Sequence, residues 1–484
     1  MAKVTLNLER TPGKPVPPPP QDLYAKRAQI YPKLAHGKFR LVKWIVMAAT
    51  LGVYYALPWI RWPRGGGAPD QAVLAYFEGE RFYFFFIEIW PQEIYYLTGL
   101  LILAALGLFL VTSLFGRVWC GYACPQTVWT DLFIWVERAF EGDRAARMRL
   151  DAARLSFNKI WRKTGKHLLW ILISFLTGGA FILYWHDAPS IAQTFFTGDA
   201  PLSAYWFAAI LTGTTYFLAG AMREQVCTYM CPWPRIQGAL TDEHALNVTY
   251  RYARGEPRAP LRKDTDWSVR GDCIECDQCV QVCPMGIDIR DGAQLECIHC
   301  ALCIDACDQM MDKIKRPRGL IAYDTDHAVD AAARGEKPAY RFLRARTVLY
   351  VGLMVFIAAL MTFGLSTRAS FEINTLKDRS PPFVQLADGS VRNGYTLKLV
   401  NKTPNARTML IETTGAPGAE LEIIGIETEG ATATLPVAAN GVDRFRVLVT
   451  VPPGSIGARG QITFTVTDIE TDESDTNRVS FRGP

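Results

Sequence analysis

All twelve cysteines of this 484-residue chain lie between Cys120 and Cys307, and cysteine is the residue type that carries its chemistry. Eight of them follow one repeated spacing. Cys273, Cys276, Cys279 and Cys283 read C-x2-C-x2-C-x3-C, followed by Pro284, and Cys297, Cys300, Cys303 and Cys307 repeat the pattern fourteen residues later. This is the bacterial ferredoxin run, in which three closely spaced thiolates wrap one 4Fe–4S cubane and the fourth reaches the neighbouring cluster. The spacing assigns cluster one to Cys273, Cys276, Cys279 and Cys307, and cluster two to Cys297, Cys300, Cys303 and Cys283. Structural zinc would use paired C-x2-C units instead of triplets with an exchanged fourth ligand. Asp308 replaces the second proline, which keeps ligation intact and adds negative charge beside the cluster. His299, between two ligands, reads as a supporting residue.

The other four cysteines form a second repeat. Cys120-Gly-Tyr-Ala-Cys124-Pro125 and Cys227-Thr-Tyr-Met-Cys231-Pro232 share the pattern C-x-Y-x-C-P, each shortly after an arginine, Arg117 or Arg223. Each copy follows a long apolar stretch, so pseudo-symmetric hairpins would bring the four thiols together. At helical spacing, i and i+4 share a face, and the following proline ends or starts a helix. Three chemistries fit such thiols: a soft metal, Cu(I) first, a third iron–sulfur cluster, or a redox-active thiol pair. Met222 and Met230 lie near the second pair and are candidates for additional soft sulfur.

The elements that must position these groups are membrane spans. Of the apolar runs at 41–60, 94–115, 168–185, 202–222 and 347–367, four are long enough, at 1.5 Å per residue, for a hydrocarbon core of about 30 Å, and the first is weaker, with 17 uncharged residues after Lys43. Lys and Arg set the orientation: eight lie in residues 1–40 and ten in 116–166, against none in 187–201. The N-terminus, the Cys-Pro motifs and the ferredoxin insert are therefore expected on the cytoplasmic side, where thiols stay reduced. Five spans then put the C-terminus on the outer face. The expected organisation is a Pro-rich flexible arm (1–40), four spans (41–222), a cysteine-rich region (223–344), a fifth span (345–366) and a final domain (367–484). In that last domain, apolar–polar alternation predicts strands at 395–401, 408–413, 421–426, 444–451 and 461–468, separated by Gly, Pro and Asn turns. This pattern indicates an all-β, immunoglobulin-like sandwich without the Cys and Trp of antibody domains. Trp129, Leu132, Phe133, Val136 and Phe140 make a helical stripe, expected to rest on the membrane surface. The clusters 82–86 and 90–96 suit an aromatic belt at the outer interface.

Composition excludes other classes. Half the chain is apolar (49%), which rules out a disordered chain, and a net charge of +5 is too small to indicate nucleic-acid binding. The final 118 residues carry −2, so the remainder carries +7, concentrated in the basic flanks.

The stretches WCGYACPQTVWTDLFIWVERAFEGDR (119–144), REQVCTYMCPWPRIQGALTDEHALNVTYRYARGEPR (223–258) and 271–308 resemble the FixG/CcoG-type (RdxA) family. The resemblance implies a membrane polyferredoxin that serves assembly of cbb-type cytochrome c oxidase. It would reduce Cu(II) to Cu(I), with Cys120, Cys124, Cys227 and Cys231 as the copper-handling residues. The implied partners are the oxidase or its copper chaperones and an electron donor that the sequence does not name. Two other readings stay open: a quinol-linked electron-transfer subunit and a non-enzymatic iron–sulfur sensor or scaffold. No haem-ligand histidine pair supports the first, since His167 and His186 sit at opposite ends of one span.

Overall fold

A computed structural model describes residues 29–483, apart from 66–67, 78, 262–265 and 456–458. Among the described residues, five helices are long and apolar enough to cross a membrane: Lys38–Trp59, Pro91–Phe115, Phe157–Ile182, Leu202–Met222 and Ala345–Ser366. Small residues let them approach. A Cβ on Gly178 would lie 2.6 Å from the Ala208 carbonyl oxygen, and one on Gly99 would lie 2.6 Å from Met361 Sδ. The third span thus packs on the fourth and the second on the fifth, as expected where close backbone contact drives association in lipid.

The fourth span is α-helical only over Leu202–Thr215 and continues as π-helix through Tyr216–Met222. The two ends of the bundle carry different domains. At one end, the Leu246 amide donates to the Leu114 carbonyl and holds the cysteine-rich domain against the second span. At the other end, Glu93 pairs with Arg368 and Lys402, each at 2.7 Å, and holds the β-sandwich.

The sandwich consists of two antiparallel five-stranded sheets. Tyr395, Leu397, Ile411, Val449, Phe464 and Val466 form its fully buried core. Four predicted strands lie within Val391–Asn401, Arg407–Thr414, Gly441–Val451 and Arg459–Asp468. The one expected at 421–426 stops at Ile423, where the chain turns back in an Ile423–Ile426 bridge. The sheets also contain Phe371–Lys377, Val384–Gln385, Thr428–Glu429, Thr432–Val437 and Ser474–Arg482, which were not expected from the sequence.

Three further expectations need correction. Residues 1–28 of the predicted arm lie outside the described residues, but 29–37 form an ordered strap. The Lys33 amide donates to the Gln281 carbonyl, Arg147 donates to the Pro32 carbonyl, and Ala35 is buried. The helix Pro125–Glu141 does not rest on a lipid surface, because Phe133 and Val136 are fully buried against Trp170 and Ala219. Nor do the aromatics at 82–96 form a simple belt. Phe82, Tyr83 and Phe84 lie in a three-stranded sheet (73–76, 81–84, 87–89) with Tyr83 buried, and Trp90, just after it, is buried with Arg81 3.9 Å over its ring, while Phe84, Phe86 and Tyr95 stay exposed.

Candidate functional site

The ferredoxin repeat is visible in the backbone. Glu275 and Asp277 adopt positive φ (51° and 53°), and His299 and Ala301 do so at the same positions of the second loop (53° and 60°). Such residues cost about 1–3 kcal/mol each and persist only where the surroundings enforce them, so both loops are held in the same winding by their neighbours. One cavity is lined by Cys273, Cys276, Cys279 and Cys307, and a second by Cys283, Cys297, Cys300 and Cys303, with Cys279 between the two. Among the described residues, no three His, Cys, Asp or Glu side chains converge on a point that could hold one metal ion. Thiols spread around a cavity suit a cubane rather than a single zinc. Amides of Met285, Gly286 and Ile287 point at Cys283 and favour its thiolate, while burial pushes the thiol up to about 11. The donor set therefore fits two 4Fe–4S clusters. Asp308 is tied down, accepting from the Gly319 amide at 2.8 Å.

The two Cys-Pro motifs meet. Cys120 sits in the short helix Val118–Tyr122, and Cys124 caps the helix that begins at Pro125. Cys227 lies in the π-helical turn Val226–Met230, whose C-cap is Cys231. The second motif is therefore wound wider than the predicted α-helix. All four thiols line one cavity of about 160 Å³, shared with Arg117, Trp119, Trp233, Glu296 and Ile298. Cys120 Sγ donates to Gln237 Oε1 at 3.2 Å. Burial pushes the Cys120 and Cys227 thiols up to about 12, reinforced by neighbouring Cys124. Cys231 is exposed. Met222 and Met230 are absent from the cavity lining, and Met230 is 57% exposed.

The ferredoxin loop forms a wall of this cavity. The Arg117 amide donates to His299 Nδ1 at 3.0 Å, and its guanidinium donates to the Leu295, Cys297 and Pro234 carbonyls. One arginine thus joins the first Cys-Pro helix, the loop of cluster two and the helix after the second motif. Tyr122 Oη donates to the Cys300 carbonyl at 3.2 Å. His299 is confirmed in a supporting place, and burial drives its imidazole down to about 3. Cys120 and Cys227 pack in the same apolar cluster as Cys283, Cys300 and Cys303, whereas Cys273, Cys279 and Cys307 belong to another. Ile298, which touches both sides, was not predicted. Gly121 was the available signal, since a Cβ there would lie 2.7 Å from the Ile298 carbonyl oxygen.

Arg223, the counterpart of Arg117, plays a different part. It pairs with Glu137, which also holds Arg147 and Lys166. Next to that network Asp131 accepts from Arg40 at 2.8 Å with Lys43 at 3.8 Å, all buried.

Family models match residues 222–326 as a 4Fe-4S dicluster domain, 97–141 as a 4Fe-4S binding domain and 361–484 as the IG-like fold at the C-terminal of FixG. The chain is 50% identical to the nitrogen fixation protein FixG of Rhizobium meliloti, over 96% of this chain and 94% of that protein. It is 49% identical to protein RdxB of Cereibacter sphaeroides (91% and 92% covered) and 48% identical to RdxA of the same organism (92% and 93%). A crystal structure of a FixG-related protein from Vibrio parahaemolyticus aligns over 24% of this chain and 96% of its own, at 21% identity and a TM-score of 0.20.

Proposed function

This chain belongs to the FixG/RdxA family of iron–sulfur proteins, and on that premise we propose that it reduces Cu(II) to Cu(I) at the four-thiol cavity, for delivery to a cbb-type cytochrome c oxidase or its copper chaperones. One observation carries this reading. The cavity that gathers Cys120, Cys124, Cys227 and Cys231 is walled by Ile298 and Glu296, next to the cluster-two ligand Cys297. An electron acceptor held by those thiols sits against the ferredoxin loop.

The protein's own groups supply the rest. Thiolates stabilise Cu(I) over Cu(II), so a cavity of four thiols favours the reduced product. Cys120 and Cys227 are neutral thiols at pH 7, and each must lose its proton to ligate. Arg117 places positive charge beside Cys120, which favours its thiolate. When bound, the 4Fe–4S groups supply electrons singly, matching the one electron that each copper ion takes. In this reading the ferredoxin end faces the cytoplasm of the bacterial inner membrane and the sandwich faces the periplasm. The sandwich then cannot touch the electron path, and its role is docking.

A second reading has its own support: the family model over 97–141, which contains only Cys120 and Cys124, is a 4Fe-4S binding domain. A third cluster in the cavity predicts twelve irons per chain, against eight for two clusters. Anaerobically purified protein, reduced and then given Cu(II) with a Cu(I) chelator, tests the leading reading against Cys227→Ser/Cys231→Ser. Equal rates in both proteins defeat it.

A further inference from the structure

Outside the thiol cavity, two imidazoles stand together without hydrogen-bond partners for their inner nitrogens. His244 lies in the loop between the helix Trp233–Leu240 and the strand Asn247–Tyr250, and His327 is the second residue of the helix Asp326–Ala333. Their ring centroids are 4.8 Å apart, with the planes tilted by 42°. The Nδ1 atoms of both are enclosed and lack a partner among the described residues. The pair is held from both sides: the His327 amide donates to the Glu243 carbonyl at 3.0 Å, and the His244 amide donates to Asp242 Oδ1 at 3.0 Å. Asp242 is itself paired with Arg344.

We propose that His244 and His327 are the protein ligands of a divalent transition-metal site that prefers Cu(II). The geometry agrees with two imidazoles on one ion. A metal–nitrogen bond of about 2.0 Å places each ring centre about 3.2 Å from the metal, so ligands at roughly a right angle have ring centres about 4.5–4.9 Å apart. The surroundings are negative. Glu243 Oε1 lies 3.6 Å from His244 Nε2, and the Asp326 carboxyl is pushed up by burial and by neighbouring Asp330, Asp324 and Glu243. Asp324 is largely engaged by Arg251 and Tyr340, which leaves Glu243 and Asp326 as the acidic rim. No third protein side chain converges there among the described residues, so the two imidazoles are the site's defining ligands. Imidazole ligands accept Cu(II), Ni(II) and Zn(II), and the affinity order puts Cu(II) first. The site stands on this geometry and does not need the copper-reduction reading.

The test uses full-length protein with oxidised clusters and alkylated membrane-face thiols, titrated with one equivalent of Cu(II). Electron paramagnetic resonance with pulsed detection of imidazole nitrogen counts the histidines on copper. The expected result is two coupled imidazoles in the wild type, with His244→Gln and His327→Gln each leaving one and weakening binding at least tenfold. Zn(II) should displace copper only in large excess. A wild-type spectrum with one imidazole or none overturns the proposal, even if the variants fail to fold. So does a two-imidazole spectrum that survives both substitutions. Failure of copper reduction at the thiols would leave this spectrum unchanged, so the two ideas fall separately.

Discussion

Gly121→Ala is the sharpest perturbation of the contact between the first Cys-Pro helix and the ferredoxin loop. Gly121 is buried in ordinary helical backbone, so an alanine there meets no conformational penalty of its own. Its Cβ would instead meet the Ile298 carbonyl oxygen at 2.7 Å and the Cys300 Cα and amide nitrogen at 3.0 Å. All three are backbone atoms and cannot swing away like a side chain. Comfortable contacts begin near 3.4 Å, so the loop must retreat by about 0.4–0.7 Å. Overpacking of this kind costs about 1–3 kcal/mol, and a 1 Å misplacement of reacting groups slows a step by about 10²-fold. The expected outcome is lower thermal stability, retained cluster absorbance, and single-turnover copper reduction slowed by about tenfold. Gly179→Ala is the control, because nothing lies within 4 Å of its added Cβ. If Gly121→Ala melts and reduces copper like the wild type, the loop does not depend on that close approach and the reasoning fails.

Three other predictions use different handles. Cys307→Ser should abolish the signal of cluster one and Cys283→Ser that of cluster two. The reverse assignment by electron paramagnetic resonance would contradict the crossed ligand sets. Because the Cys120 and Cys227 thiols are pushed up to about 12, they are protonated at pH 7. Loading Cu(I) should therefore release close to one proton for each that ligates, and an indicator dye that records none would exclude them as ligands. Asp131→Asn would leave Arg40 and Lys43 buried without their carboxylate. That change should destabilise the bundle by about 3–5 kcal/mol, and an unchanged denaturation midpoint would refute the argument.

The thiols were legible in the sequence because cysteine spacing is local: a loop of two or three residues decides which sulfurs share a cavity. The spans and five of the ten sandwich strands were legible for a similar reason, since length and alternation follow from burial along one element. What escaped depended on distant partners. Pro125–Glu141 has the stripe of a surface helix, and only the arrival of Trp170 and Ala219 turns that stripe inward. Ser474–Arg482 buries little besides Phe481, so its edge position leaves almost no apolar alternation to read. The π-helical winding of the second motif carries no periodic signature in five residues. Arg117 and Arg223 precede their motifs by three and four residues, and one braces the ferredoxin loop while the other braces a buried carboxylate. Sequence symmetry here does not extend to the contacts.

The central claim is that electrons leave the ferredoxin domain for copper held by the membrane-face thiols. Its most direct measurement is an anaerobic single turnover in which protein with reduced clusters is mixed with Cu(II). Cluster reoxidation and chelated Cu(I) are then followed together. The prediction is one Cu(I) formed for each electron lost from the clusters, with both processes abolished in Cys120→Ser/Cys124→Ser/Cys227→Ser/Cys231→Ser protein that retains its eight cluster cysteines. Undiminished reoxidation and Cu(I) formation in that variant would contradict the account.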